Sequence, residues 1–161
     1  MPAPQAPTSP AAAVDPNQPV SDPATRAEQE PVDVSPLAPV AVAHPADFGN
    51  GIVASVAAVE GVDVEATRPG ETAGPAAAVR VTVENSSGVP VNLDGLVVNA
   101  SDESGTPLVP NFTSHAHPLS GVLAPGQSRE GTYVFRTDGG LDGLTIDIHH
   151  DTTANFVVIT T

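Results

Sequence analysis

The chain has 161 residues and a formal net charge of −14, from 19 acidic residues against five arginines and no lysine. Such a field repels phosphate backbones and anionic lipid, and no basic stripe overrides it, so nucleic acid and an anionic membrane surface are excluded as partners and a soluble monomer is expected. The absence of cysteine excludes disulfides, thiolate metal sites and a cysteine nucleophile, and no apolar run approaches the ~20 residues that span a bilayer.

Composition changes near residue 46. Eleven of the 18 prolines precede that point and all 14 glycines follow it. Residues 1–46 contain no aromatic residue and no apolar run able to nucleate a core, so they read as a disordered spacer with polyproline II character. Fully extended, the spacer would reach about 140 Å at most. Within it Pro4-Gln5-Ala6-Pro7 matches a proline-recognition pattern, which arises by chance in any proline-rich tract. The start, Met1-Pro2-Ala3-Pro4, carries neither the basic nor the apolar region of a signal peptide. With a spacer following, the expectation is that a signal or anchor has been removed upstream and that the protein works in the cell envelope or outside the cell.

From residue 47 to residue 161 the periodicity is that of strands. An opening strand covers Ile52 to Val59 and is able to continue through Val62 and Val64. Val79-Arg80-Val81-Thr82-Val83-Glu84 alternates apolar and polar, and Asn85-Ser86-Ser87-Gly88 closes it with turn chemistry. After Val89 to Leu93, the apolar parity shifts at Gly95 to Leu96, Val98 and Ala100, a pattern that predicts a bulge or bend. Glu103-Ser104-Gly105 is a turn. Ala124-Pro125-Gly126 precedes a strand through Thr132 to Arg136, Asp138-Gly139-Gly140 turns again, and Leu144, Ile146 and Ile148 alternate with Thr145, Asp147 and His149. Phe156 to Thr160 is the last strand. About seven short strands with no helical pattern predict an all-β, immunoglobulin-like antiparallel β-sandwich, its light core built from valine, leucine and isoleucine with Phe48, Phe112, Tyr133, Phe135 and Phe156.

Three stretches resemble a family. Val79 to Ser87 (VRVTVENSS), Leu123-Ala124-Pro125-Gly126-Gln127-Ser128, and Gly131-Thr132-Tyr133-Val134-Phe135 are similar in layout to the telokin-like, immunoprotective-extracellular-protein-like domains of unknown function. These belong to Gram-positive, especially actinobacterial, lipoproteins and secreted proteins. The resemblance covers roughly residues 48 to 160. It implies export and an envelope role, and it brings no catalytic residue and no cofactor with it.

The chemistry-bearing residues are few. His115-Ala116-His117 puts two imidazoles on one side of an extended segment, and His149-His150-Asp151 offers three further ligands. If the two stretches met, His115, His117 and His149 or His150 would suit zinc or copper(II). Neighbouring strand residues point to opposite faces, so His149 faces out with Asp147 while His150 follows Ile148 inward. The plainer alternative is five surface or rim histidines. Residues 137–143 hold aspartates and glycines without matching a calcium loop. No G-x-S-x-G elbow and no phosphate-cradling loop occur, so no enzyme is predicted. Asn85-Ser86-Ser87, Asn99-Ala100-Ser101 and Asn111-Phe112-Thr113 match the glycosylation acceptor pattern, which is without meaning in most bacteria.

The function that follows is a non-catalytic interaction module meeting a protein partner in the envelope through loops at the end of a rigid sandwich. Residues 107–119, with Asn111, Phe112, His115 and His117, form the candidate binding loop, and Phe112 belongs either to the contact surface or to the core. The alternatives are a divalent-metal binder outside the cytoplasm and a structural subunit of a surface assembly.

Overall fold

The computed structural model describes residues 35–138, 140–151 and 155–161. The chain divides into two units, Met1–Pro31 and Val32–Thr161, and all described residues lie in the second. Gly139, the side chain of Phe156 and the Pro4–Pro7 motif, each given a role above, lie outside the described residues.

From the amino end come β1 (Ser35–Pro36), β2 (Val40–Ala41) and β3 (Ala46–Asp47). Two long strands follow, β4 (Ile52–Val64) and β5 (Gly74–Asn85). Then come β6 (Val91–Asn92), a 3-10 turn over Leu93–Gly95, and β7 (Leu96–Ser101). β8 (Pro110–Asn111) and β9 (Val122–Leu123) are short; β10 (Ser128–Arg136), β11 (Thr145–His150) and β12 (Asn155–Thr160) complete the chain.

These elements build an immunoglobulin-like β-sandwich. One sheet runs β1–β12–β11–β7, with β2 also on β12; the other runs β3–β4–β5–β10–β8; β6 and β9 form a separate small pair. The core lies between the sheets. Ala54, Val56, Val79, Val81 and Val83 from one layer meet Val98, Ala100, Ile146, Ile148, Val157 and Ile159 from the other. Branched side chains suit such a pleated, half-buried surface. Phe48 and Phe135 are buried in this core and Tyr133 packs partly against it. Phe112 does not join it: its side chain is 73% exposed, because Pro110 and Asn111 pair at the outer edge of β10 and carry the next residue past the rim.

A bulge explains how one strand serves two clusters. β4 pairs with β5 throughout, but the register slips between Val56 and Ala58, leaving Ala57 over and reversing the parity. Val59 therefore still packs on the main core, whereas Val62 and Val64 turn to the outer face. There they meet Ala76, Ala78 and Val134, with Ala116 from the candidate loop laid on top. The shift at Gly95 is a bend, since the 3-10 turn Leu93–Gly95 carries the chain from β6 into β7.

Among the described residues, strand pairing begins at Ser35, well ahead of the composition change near residue 46. β1 and β2 run parallel to β12, while Leu37, Val40 and Val42 pack against the core. Proline is tolerated on sheet edges, where its missing N–H interrupts no central ladder. Proline content thus concealed an edge.

Candidate functional site

Residues 107–119 leave β7 by way of a turn and climb the outer edge of β10. The turn is set by Asp102, whose carboxylate accepts hydrogen bonds from the Ser104 and Thr106 amides, each at 2.9 Å. The hydrogen bond from the Ser104 hydroxyl, followed by those from the amides, holds the Asp102 carboxyl below the usual aspartate range. Pro107 then bridges Ser101, and the Leu108 amide donates to the Ala100 carbonyl at 2.8 Å. From there the segment changes sheet.

It is fastened to β10 at both ends. The Arg136 amide donates to the Val109 carbonyl at 2.8 Å, and Pro110 and Asn111 pair with Phe135 and Val134. Further on, His117 and Thr132 exchange backbone hydrogen bonds of 2.8 and 2.9 Å. The Leu119 amide donates to the Tyr133 hydroxyl at 3.2 Å, and burial pushes the Tyr133 phenol up. Arg129 reaches the Ser120 and Val122 carbonyls. Gly131 makes this approach possible, since a Cβ there would stand 2.7 Å from Leu119 Cγ and 2.9 Å from its amide nitrogen. Between the fastenings, residues 112–116 arch over sheet β3–β4–β5–β10–β8, with Ala116 N–H donating to the Thr113 carbonyl at 3.0 Å.

The segment borders two concavities. Pro107, Leu108 and Val109 wall a hollow of about 740 Å3 at the end of the sandwich, formed with Arg136, Thr137, Asp138, Gly140, Asp142 and Leu144. Asp102, Glu103, Asp138 and Asp142 contribute carboxylates to its lining, and Arg136 contributes the cation. Arg136 Nε is buried without a hydrogen-bond partner among the described residues. On the far side, Thr113, Ser114 and His115 border a smaller crevice of about 210 Å3 with Asp63, Glu65 and Thr67. Val109, 64% exposed, stands in the wall of the hollow, and Phe112, 73% exposed, precedes the residues that border the crevice. Asn111 between them is half-buried.

The histidines do not assemble. His115 and His117 are exposed on the segment along β10, in one sheet, whereas His149 and His150 belong to β11, in the other, opposite Val97 and Leu96. His149 is half-buried on the outer face near Asp147; burial raises the Asp147 carboxyl and the His149 charge partly offsets it. His150 is 3% exposed; Nε2 lies 2.9 Å from the Asn92 carbonyl oxygen and Nδ1 lies 3.5 Å from the Asp151 carboxylate. Its ring is thus engaged in tying the end of β11 to the 3-10 turn region. Among the described residues, no group of three or more histidine, aspartate or glutamate side chains could hold a metal ion. The zinc or copper(II) set of His115, His117 and His149 or His150 is thus drawn from segments that join different sheets.

Asn85 is the residue whose role was missed. It is fully buried at the other end of β5. Its amide nitrogen donates to the Val89 and Leu123 carbonyls at 2.8 and 3.0 Å, and its oxygen accepts from the Ser87 amide and hydroxyl. The turn chemistry of Asn-Ser-Ser was readable; the bond to Leu123, 38 residues away, has no sequence signal. The glycosylation reading of Asn85 fails on the same burial.

No family model matches this chain, and no curated protein sequence matches it. Solved structures do share its fold. The yjhA protein of Bacillus subtilis is 13% identical, with 77% of this chain and 98% of that one covered and a TM-score of 0.54. MPT63, a secreted protein of Mycobacterium tuberculosis, is 14% identical, with 79% and 98% covered and a TM-score of 0.55. At such identities the likeness establishes the β-sandwich and nothing of its chemistry.

Proposed function

We propose that this chain is a non-catalytic binding module acting outside the cytoplasmic membrane, which meets a protein partner through residues 107–119. The proline-rich residues at its amino end serve as the spacer that holds the sandwich away from its anchor. The observation that carries the reading is the exposure of Phe112 and Val109 on a segment tied at both ends to β10. Aromatic side chains are enriched at protein interfaces over the rest of the surface, and a segment already fixed to a strand loses little freedom on binding. The extracellular part is supported by the fold shared with a secreted mycobacterial protein and by the sequence resemblance to exported domains.

The test compares retention of the purified chain on envelope fractions of its source organism, before and after Phe112→Ala. The wild-type chain is retained and the variant is released, with both equally folded by circular dichroism. Equal retention of the two removes residues 107–119 from the binding surface.

A further inference from the structure

The chemistry around Phe112 deepens that reading, and rests on it: we infer that the partner segment is basic, presenting arginine or lysine side chains that enter the acid-lined hollow and lie against the Phe112 ring. Residues 107–115 border six carboxylates, those of Asp102, Glu103, Asp138 and Asp142 in the hollow and of Asp63 and Glu65 in the crevice. Arg136 is the arginine that shares the hollow with them. A hollow of about 740 Å3 is, as a sphere, roughly 11 Å across, so a cationic head at its centre lies about 6 Å from the wall, inside the ~8 Å Debye length at physiological salt.

The geometry also selects among occupants. A second copy of this chain would bring another charge of −14 against the same carboxylates, and anionic lipid or nucleic acid is repelled in the same way. A lysine or arginine fits on two counts. Its aliphatic stem lies along Pro107, Leu108 and Leu144 in the hollow while the charged head meets the rim. A second cation sits over the exposed Phe112 ring, where the quadrupole attracts it.

The experiment is calorimetric titration of the full chain, at about 150 mM salt, with a synthetic alternating Arg–Leu peptide and a Glu–Leu peptide of equal length. Four proteins are compared: wild type, Phe112→Ala, a rim triple (E103Q, D138N, D142N) and a control triple (E60Q, E84Q, E130Q) that removes the same charge from exposed positions on the strands. The wild type binds the arginine peptide and not the glutamate peptide. The rim triple and Phe112→Ala each weaken binding by about tenfold or more, and the control triple by no more than about twofold. Equal losses in the two triples overturn the inference, since only the overall charge is then at work. A loss with Phe112→Ala alone keeps the contact surface and overturns the basic partner; no loss in any variant overturns both. Shift mapping on the labelled wild type needs no substitution: the arginine peptide perturbs residues 102–115 and 138–142, and perturbation spread evenly over the acidic surface counts against the inference.

Discussion

Removing the Asn85 amide tests whether one buried side chain holds together the end of the sandwich opposite the candidate site. In Asn85→Ala four side-chain hydrogen bonds disappear, while the backbone bonds from Asn85 N–H to Gln127 and from Gly126 N–H to Asn85 persist. Not all four losses count fully. Val89 is exposed, so its carbonyl regains water, and the single Ser87 hydroxyl proton, no longer taken by Asn85, turns to that carbonyl 3.0 Å away. The Leu123 carbonyl, on a residue 2% exposed, and the Ser87 amide carry most of the cost. At ~0.5–1.5 kcal/mol net for each bond, and about 1 kcal/mol for the void left by the amide, the loss is about 2–4 kcal/mol. The single tyrosine, Tyr133, in a chain without tryptophan, provides the fluorescence signal for urea unfolding. With a slope near 2 kcal/mol per M the midpoint falls by about 1–2 M. Asn85→Asp sharpens the test. A carboxylate oxygen replaces the nitrogen that now faces two carbonyl oxygens at 2.8 and 3.0 Å, so at pH 7 this variant is less stable than Asn85→Ala. Its folded-state pKa is raised above the ordinary aspartate value, so it holds a proton that the unfolded chain releases. Relative to the alanine variant its stability is therefore full at low pH and is lost as pH rises through the folded pKa. A midpoint for Asn85→Ala within error of wild type, or an aspartate variant as stable as alanine at pH 7, would refute the account of Asn85 as a tie.

Three other perturbations bear on the frame and the site. Phe112→Ala changes stability by no more than about 0.5 kcal/mol, whereas Phe135→Ala, at a residue 2% exposed, costs about 3–5 kcal/mol; urea midpoints for the pair separate contact residue from core residue, and similar losses would place Phe112 in the core. Gly131→Ala pushes a methyl group to 2.7 Å from Leu119 Cγ and 3.0 Å from the His117 carbonyl oxygen. It costs about 1–3 kcal/mol and shifts the amide resonances of residues 117–119, and an unshifted spectrum would show that the segment is not held on β10 by close approach. Burial raises the Asp147 carboxyl, so the native state takes up a proton before the unfolded chain does, and its contribution is fully present below the ordinary aspartate range and lost as pH rises through the folded value. Asp147→Asn therefore raises the unfolding midpoint at pH 7 relative to wild type and loses that advantage toward pH 3, as midpoints across a pH series will show.

Alternation in residues 79–84 and 144–148 showed which side chains enter the core, because a half-buried strand repeats every two residues and the burial of Val79, Val81, Val83, Leu144, Ile146 and Ile148 follows that repeat. It also oriented His149 and His150 correctly. Three things were hidden. The bulge at Ala57 follows from pairing with β5, which no local pattern announces. β1 and β2 carry the proline of a linker and still pair with β12, because an edge asks only for a few apolar contacts, supplied by Leu37, Val40 and Val42. The distance between the two histidine pairs depends on which sheet each segment joins, a property of topology that one sequence leaves open.

The candidate site illustrates the same division at closer range. Residues 107–119 were legible as a loop with one aromatic residue among polar ones, but the two roles for Phe112, core or contact, differ only in where Pro110 and Asn111 attach. Pairing them to the edge of β10 takes Phe112 out of the core: the next side chain leaves the sheet exposed. The same attachment brings Pro107 to Val109 beside the β10–β11 connection, so Glu103 shares one hollow with Asp138 and Asp142, which lie far along the chain from it. An acidic protein distributes carboxylates everywhere and gains solubility from them wherever they sit. What sets these few apart is that they share one hollow with Val109, an apolar side chain that the frame holds out of the core.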